Sequence, residues 1–240
     1  RASIVEQFRD RLPINAALEE EGGLRSMLLM DPPDHTRVRG LVSKAFTPRR
    51  VAELKPRIEA IVTSLFDAVG GAGAFDLIDA VAAPLPAIVI AELLGVPAED
   101  HRRFKEWSGA LVSAIGSANP QDARAQFETA LGRLLDYLRG IIAERRKAPR
   151  DDLISAMLEA QEERDALSDA ELLATSNLLL IAGHETTTNL IGNGTLALLR
   201  NPDQFARLRD DRALMRSAID ELLRYDSPVQ ATGRVANEDV

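Results

Sequence analysis

The chain has 240 residues, with 29 basic and 37 acidic side chains giving a formal net charge of −8, 45% hydrophobic residues, 28% charged residues and no cysteine. Such a composition is globular rather than disordered, and a chain of this length can build a core without disulfides. The lack of cysteine excludes a disulfide framework, a thiolate zinc site and a cysteine nucleophile within these residues, and an acidic balance with no basic cluster argues against a nucleic-acid surface.

The start, Arg1-Ala2-Ser3-Ile4-Val5-Glu6, has neither an initiator methionine nor the apolar run of a signal peptide, so the chain reads as trimmed. The most apolar stretch, Ala80 to Val96, is interrupted by Pro84, Pro86 and Glu92 and is shorter than the roughly 20 apolar residues that cross a bilayer, which predicts a soluble protein. Punctuation then divides the chain into helices. Asp31-Pro32-Pro33 starts one that runs to about Phe46, and Thr47-Pro48 caps another that runs to about Val69, where Gly70, Gly71 and Gly73 break it. Helical periodicity continues from Leu77 to Leu94, Pro97 to Ile115, Pro120 to Lys147 and Asp151 to Gln161. Ser168-Asp169-Ala170-Glu171 is a capping-box pattern opening a helix with no stop before Asn201-Pro202, roughly 50 Å long and expected to be buried on both faces at its middle. A short helix follows Pro202, another ends near Arg224, and Asp226-Ser227-Pro228 turns into an expected strand from Val229 to Val235.

Four groups of residues carry candidate chemistry. His35 and Arg39 share a helix face beside Val42 and Phe46, which suits either a half-buried anion or a solvated helix edge. Ala182-Gly183-His184-Glu185-Thr186-Thr187-Thr188-Asn189 places poor helix formers in the middle of the long helix. Leu178, Ala182, Glu185 and Asn189 fall on one face with Thr186 beside them, which reads either as a pocket wall with a proton relay or as a polar kink satisfied by its own backbone. A zinc-protease reading fails, because His184-Glu185 would need a second histidine where Thr188 stands. Glu221 and Arg224 form an i,i+3 pair of the commonplace kind, and Arg234 follows in the expected strand.

Asp31-Pro32-Pro33-Asp34-His35-Thr36-Arg37-Val38-Arg39, then Ala182-Gly183-His184-Glu185-Thr186-Thr187, then Glu221-Leu222-Leu223-Arg224 occur in one order that closely resembles a soluble bacterial cytochrome P-450, from about Met30 to Val240. The resemblance implies a mainly α, partial cytochrome P-450 fold with little β, in which residues 1–240 form part of a single haem-binding monooxygenase domain and the long helix passes over the haem. It assigns His35, Arg39 and Arg234 to the haem propionates, Leu178 and Ala182 to the distal haem face, and Glu185 and Thr186 to delivering protons to dioxygen; Glu221 and Arg224 become a structural ion pair. It implies haem b as cofactor, O2 and a small organic substrate, and electrons from NAD(P)H through a ferredoxin or flavodoxin. It further implies a cytoplasmic location and no metal ligand in this chain, and with the composition and hydropathy above neither a membrane nor a nucleic acid is expected as a partner. The family's iron-binding cysteine lies beyond the Arg234 segment, so the chain is expected to be an internal piece of a longer enzyme. The alternative is a haem-less helical module that binds a small molecule.

Overall fold

The computed structural model describes residues 26–230 and 232, apart from 72, 98, 99, 101, 102, 105, 108, 112–119 and 162–166. Its regular elements are helices: α1 (Asp34–Ala45), α2 (Pro48–Glu53), α3 (Lys55–Val69), α4 (Pro84–Leu93), α5 (Pro120–Lys147), α6 (Leu153–Gln161), α7 (Asp169–Arg200), α8 (Pro202–Asp210) and α9 (Met215–Tyr225). Short 3-10 turns lie at Met27–Leu29 and Arg212–Leu214, and a wider π-helical turn spans Ile78–Ala82.

Local chemistry sets most of the boundaries. The Thr47 hydroxyl accepts from the Arg50 N–H at 3.2 Å, capping α2 just before Pro48. The single helix expected from Pro48 to Val69 is two, broken at Leu54, because Pro56 has no N–H for the carbonyl one turn back and restarts the helix as part of its first turn. Gly70 ends α3 at φ +61°, a left-handed conformation that favours glycine. The helix expected from Leu77 to Leu94 is likewise divided: Pro84 cannot donate, and the preceding turn closes from Ala83 N–H back to the Ile78 carbonyl at 2.9 Å. Within the helix expected from Pro97 to Ile115, residues 103, 104, 106, 107 and 109–111 are helical, and 112–115 lie outside the described residues.

At the head of α7 the capping box forms in both directions. Glu171 N–H donates to the Ser168 hydroxyl at 3.2 Å, and Ser168 N–H donates to Glu171 Oε2 at 2.8 Å. At the far end, Val229, Gln230 and Thr232 are not in a strand, and 231 and 233–235 lie outside the described residues. A strand exists only as a paired ladder, and no described segment offers one a partner.

The chain divides into two units, residues 1–60 with 87–182 and residues 61–86 with 183–240. In the first, α5 presents Phe127, Leu131, Leu134, Leu135, Leu138 and Ile142 at helical spacing, all buried, in one core with Val38, Leu41 and Val42 of α1, Leu153, Ile154 and Met157 of α6, and Leu172, Leu173 and Leu180 of α7. α6 packs against both α1 and α5. The base of this core is held by a buried ion pair. The Arg145 side chain, 1% exposed, donates from Nε to Asp152 and from Nη2 to the Gly95 carbonyl, while Asp152 Oδ1 caps α6 by accepting from Ser155 N–H at 2.8 Å. In the second unit, α8 and α9 both pack on the Arg212–Leu214 turn. A groove of about 440 Å³ runs between the end of α7, α8 and α9, lined by Leu198, Leu208, Ala218 and Leu222 among others.

Candidate functional site

α7 stays helical through the 182–189 patch. The Thr188 hydroxyl donates to the His184 carbonyl at 3.0 Å, which places the extra donor on an existing helix carbonyl without removing the N–H from the ladder. Burial on both faces does not extend to the middle of this helix. From Leu178 onward the buried positions are Leu180, His184, Thr188 and Gly194, whereas Leu178, Glu185, Thr186 and Asn189 are half-buried and Ala182 and Thr187 exposed. The reason is that the apolar core of the first unit ends around Leu180 and Ile181.

At about 100° per residue, the buried positions centre on the side of α7 opposite the strip formed by Leu178, Ala182, Glu185 and Thr186. The helix therefore packs through one face and leaves the other accessible. That face combines an apolar side chain, a residue with only a methyl group, a carboxylate and a hydroxyl. Asn189 Nδ2 donates to Glu185 Oε1 at 3.2 Å, so the carboxylate is oriented by a neighbour one turn along. Asn189 shares this face by helical spacing, and its separation of four from Glu185 is the sequence signal for their contact.

On α1, His35 is half-buried and Arg39 exposed. Neither side chain has an ion-pair or hydrogen-bond partner among the described residues, although Arg37, Arg49, Arg50 and Arg57 are each paired with an acid. Two unpartnered donor groups on one face have the chemistry of a carboxylate receptor, and in that respect the residues fit the dicarboxylate edge of a haem. The accessible, partly apolar strip of α7 fits a flat apolar face. Arg234 lies outside the described residues.

Two features were invisible in the sequence reading. Arg37, between the two predicted anion-binding residues, donates to both oxygens of Glu171, with Nη1 at 3.3 Å from Oε2. Partial burial alone would push the Glu171 carboxyl up, but the hydrogen bonds from Arg37 and from the Ser168 N–H and hydroxyl hold it below the usual carboxylate range. Asn177 is 2% exposed, and its Oδ1 has no hydrogen-bond partner among the described residues. Glu221 and Arg224 form the expected pair, bidentate at 2.7 Å for each contact and exposed, with the Glu221 carboxyl held below its ordinary value by the hydrogen bond from Arg224. No described helix is long and apolar enough to cross a membrane.

Comparison with known proteins places the chain in a family. The family model for cytochrome P450 matches residues 5–240. Cytochrome P450 CYP107DY1 of Priestia megaterium is 48% identical over 215 residues, covering 90% of this chain and 52% of that protein. A vitamin D(3) 25-hydroxylase of Pseudonocardia autotrophica is 49% identical over 216 residues, covering 89% of this chain and 52% of that protein. The crystal structure of substrate-free CYP109E1 from Bacillus megaterium superimposes with a TM-score of 0.85 at 41% identity, covering 93% of this chain and 58% of that one. The chain belongs to the cytochrome P450 family. It spans about half the length of the curated relatives it matches.

Proposed function

We propose that the protein acts as a haem-dependent monooxygenase, inserting one oxygen atom of O2 into a small organic substrate and reducing the other to water with two electrons and two protons. The observation that carries this reading is the accessible strip of α7, where Ala182 stands about one turn, and Leu178 about two turns, before an oriented carboxylate at Glu185 and a hydroxyl at Thr186. That one relative is named a hydroxylase supports the reaction type.

Haem b, when bound, supplies the activation of dioxygen. His35 and Arg39 hold its carboxylates by charge-assisted hydrogen bonds, and Arg234 is assigned to the same task. Leu178 and Ala182 exclude water from the distal side, and the small Ala182 leaves room for oxygen and substrate. Glu185 and Thr186 transfer protons at Oε and Oγ1, the hydroxyl holding a water and the carboxylate resupplying it. Asn189 fixes which Glu185 oxygen faces the relay. Electrons come from NAD(P)H through a ferredoxin or flavodoxin, steered to the protein by exposed basic residues, and the assigned location is the cytoplasm.

The test is spectroscopic and isotopic. The protein produced from its full reading frame should bind haem and, once reduced under carbon monoxide, show the red-shifted absorption of thiolate-ligated haem. Product made under isotopically labelled dioxygen should then carry one labelled atom. Failure to bind haem, or label entering from water instead, refutes the proposal.

A further inference from the structure

α1 is held against the rest of its unit in two chemically different ways. Its apolar stripe, Val38, Leu41 and Val42, is buried at 1%, 4% and 6% exposure. Such packing is strong but non-directional, and a helix can roll on it by several degrees at little cost. Arg37 supplies what the stripe lacks. Its guanidinium bonds both oxygens of Glu171, 134 residues away on α7, with the two side chains only 29% and 16% exposed. A bidentate fork is directional in both distance and plane.

The positions around the helix give this contact its consequence. At about 100° per residue, Arg37 lies on one border of the buried stripe, beside Leu41, and His35 and Arg39 lie together on the other border, beside Val42. The stripe is the fulcrum between them. A roll of about 10° at a side-chain radius of about 6 Å displaces the far rim by about 1 Å, enough to break a hydrogen bond. Glu171 is itself immobilised, because its carboxylate also accepts from the Ser168 N–H and hydroxyl at the head of α7.

We infer that Arg37 and Glu171 are positioning residues for haem: the bridge sets the roll of α1 and thereby the aim of His35 and Arg39 at the haem carboxylates. The inference rests on the reading that His35 and Arg39 bind those carboxylates, and its test separates the two. Apoprotein of the full-length protein is titrated with haemin and with haemin dimethyl ester, which carry the same iron and ring and differ in the carboxylates alone. The wild type should prefer haemin by about tenfold or more, the equivalent of one charge-assisted hydrogen bond. Glu171→Gln keeps an acceptor for the capping box but loses the charge; its preference should fall to about twofold or less with diester affinity unchanged. Arg37→Lys, which cannot form the fork, should do the same and serves if Glu171→Gln does not fold. Equal weakening of haemin and diester in the bridge variants, or a retained preference, overturns the positioning role while leaving His35 and Arg39 as ligands. A wild type with no preference overturns both.

Discussion

Asn189 donates to Glu185 across one turn of α7, from Nδ2 to Oε1 at 3.2 Å, and both residues lie on the face that packing leaves accessible. A carboxylate that must pass on a proton is more effective when it keeps one orientation than when it samples several. Asn189→Ala should therefore lower the product formed per dioxygen consumed several-fold while haem content stays at the wild-type level. Parallel measurement of oxygen uptake and product decides it, and unchanged coupling would show that the amide does nothing for the relay.

Thr186 should show a sharper dependence on chemistry than on shape. Thr186→Ala removes the hydroxyl and Thr186→Ser keeps it, so product formation should drop by about 10²-fold in the first and recover most of that loss in the second. Dioxygen consumption should fall much less than product formation in Thr186→Ala, with reduced oxygen leaving as hydrogen peroxide. If Ser and Ala behave alike, the hydroxyl is not part of the proton path.

Stability should be most sensitive at Gly95. It sits at φ +77°, and any Cβ there would fall inside the Asp152 carboxylate, which is itself paired with the buried Arg145. Gly95→Ala must strain the backbone and displace one half of a buried ion pair, at a combined cost of about 3 kcal/mol or more. Urea unfolding monitored by circular dichroism measures it.

The acid limb of stability should carry a contribution from Glu171. Its carboxyl is held below the ordinary value in the folded chain, so its contribution is fully present above the unfolded-state pKa of about 4.3 and disappears as pH falls through the lower, folded value. Wild type and Glu171→Gln should differ in urea midpoint at neutral pH and converge as pH falls below about 4. A gap that persists in acid would mean that the carboxylate's charge is not what stabilises.

What could be read from the residues alone followed the range of the interaction. The Ser168 capping box, the Thr47 cap and the stop at Asn201-Pro202 are written within four residues, and each appears where expected. Pro56 is equally local, but the apolar period runs across it and only its missing N–H breaks the helix. The strip on α7 was legible because helical spacing places side chains on faces, yet the same spacing could not tell which face would be packed; that was decided by where the core of α5 and α6 ends. Arg37 and Glu171 carry no periodic or local signal at a separation of 134 residues, and only the fold pairs them.

Glycine in the middle of a helix ordinarily signals slack, and replacing it with alanine is a routine way to raise thermal tolerance. The two glycines in the later half of α7 offer that opportunity less freely. A Cβ on Gly192 would stand 2.7 Å from the Ile78 δ-methyl, and one on Gly194 would stand 3.0 Å from Leu222 Cδ1. Both positions are grooves cut to receive a neighbour's side chain. Gly132 and Gly140 on α5 face nothing within 4 Å. An engineer seeking a hardier protein thus has free room on α5, whereas on α7 the same substitution first requires the ends of the Ile78 and Leu222 side chains to move aside.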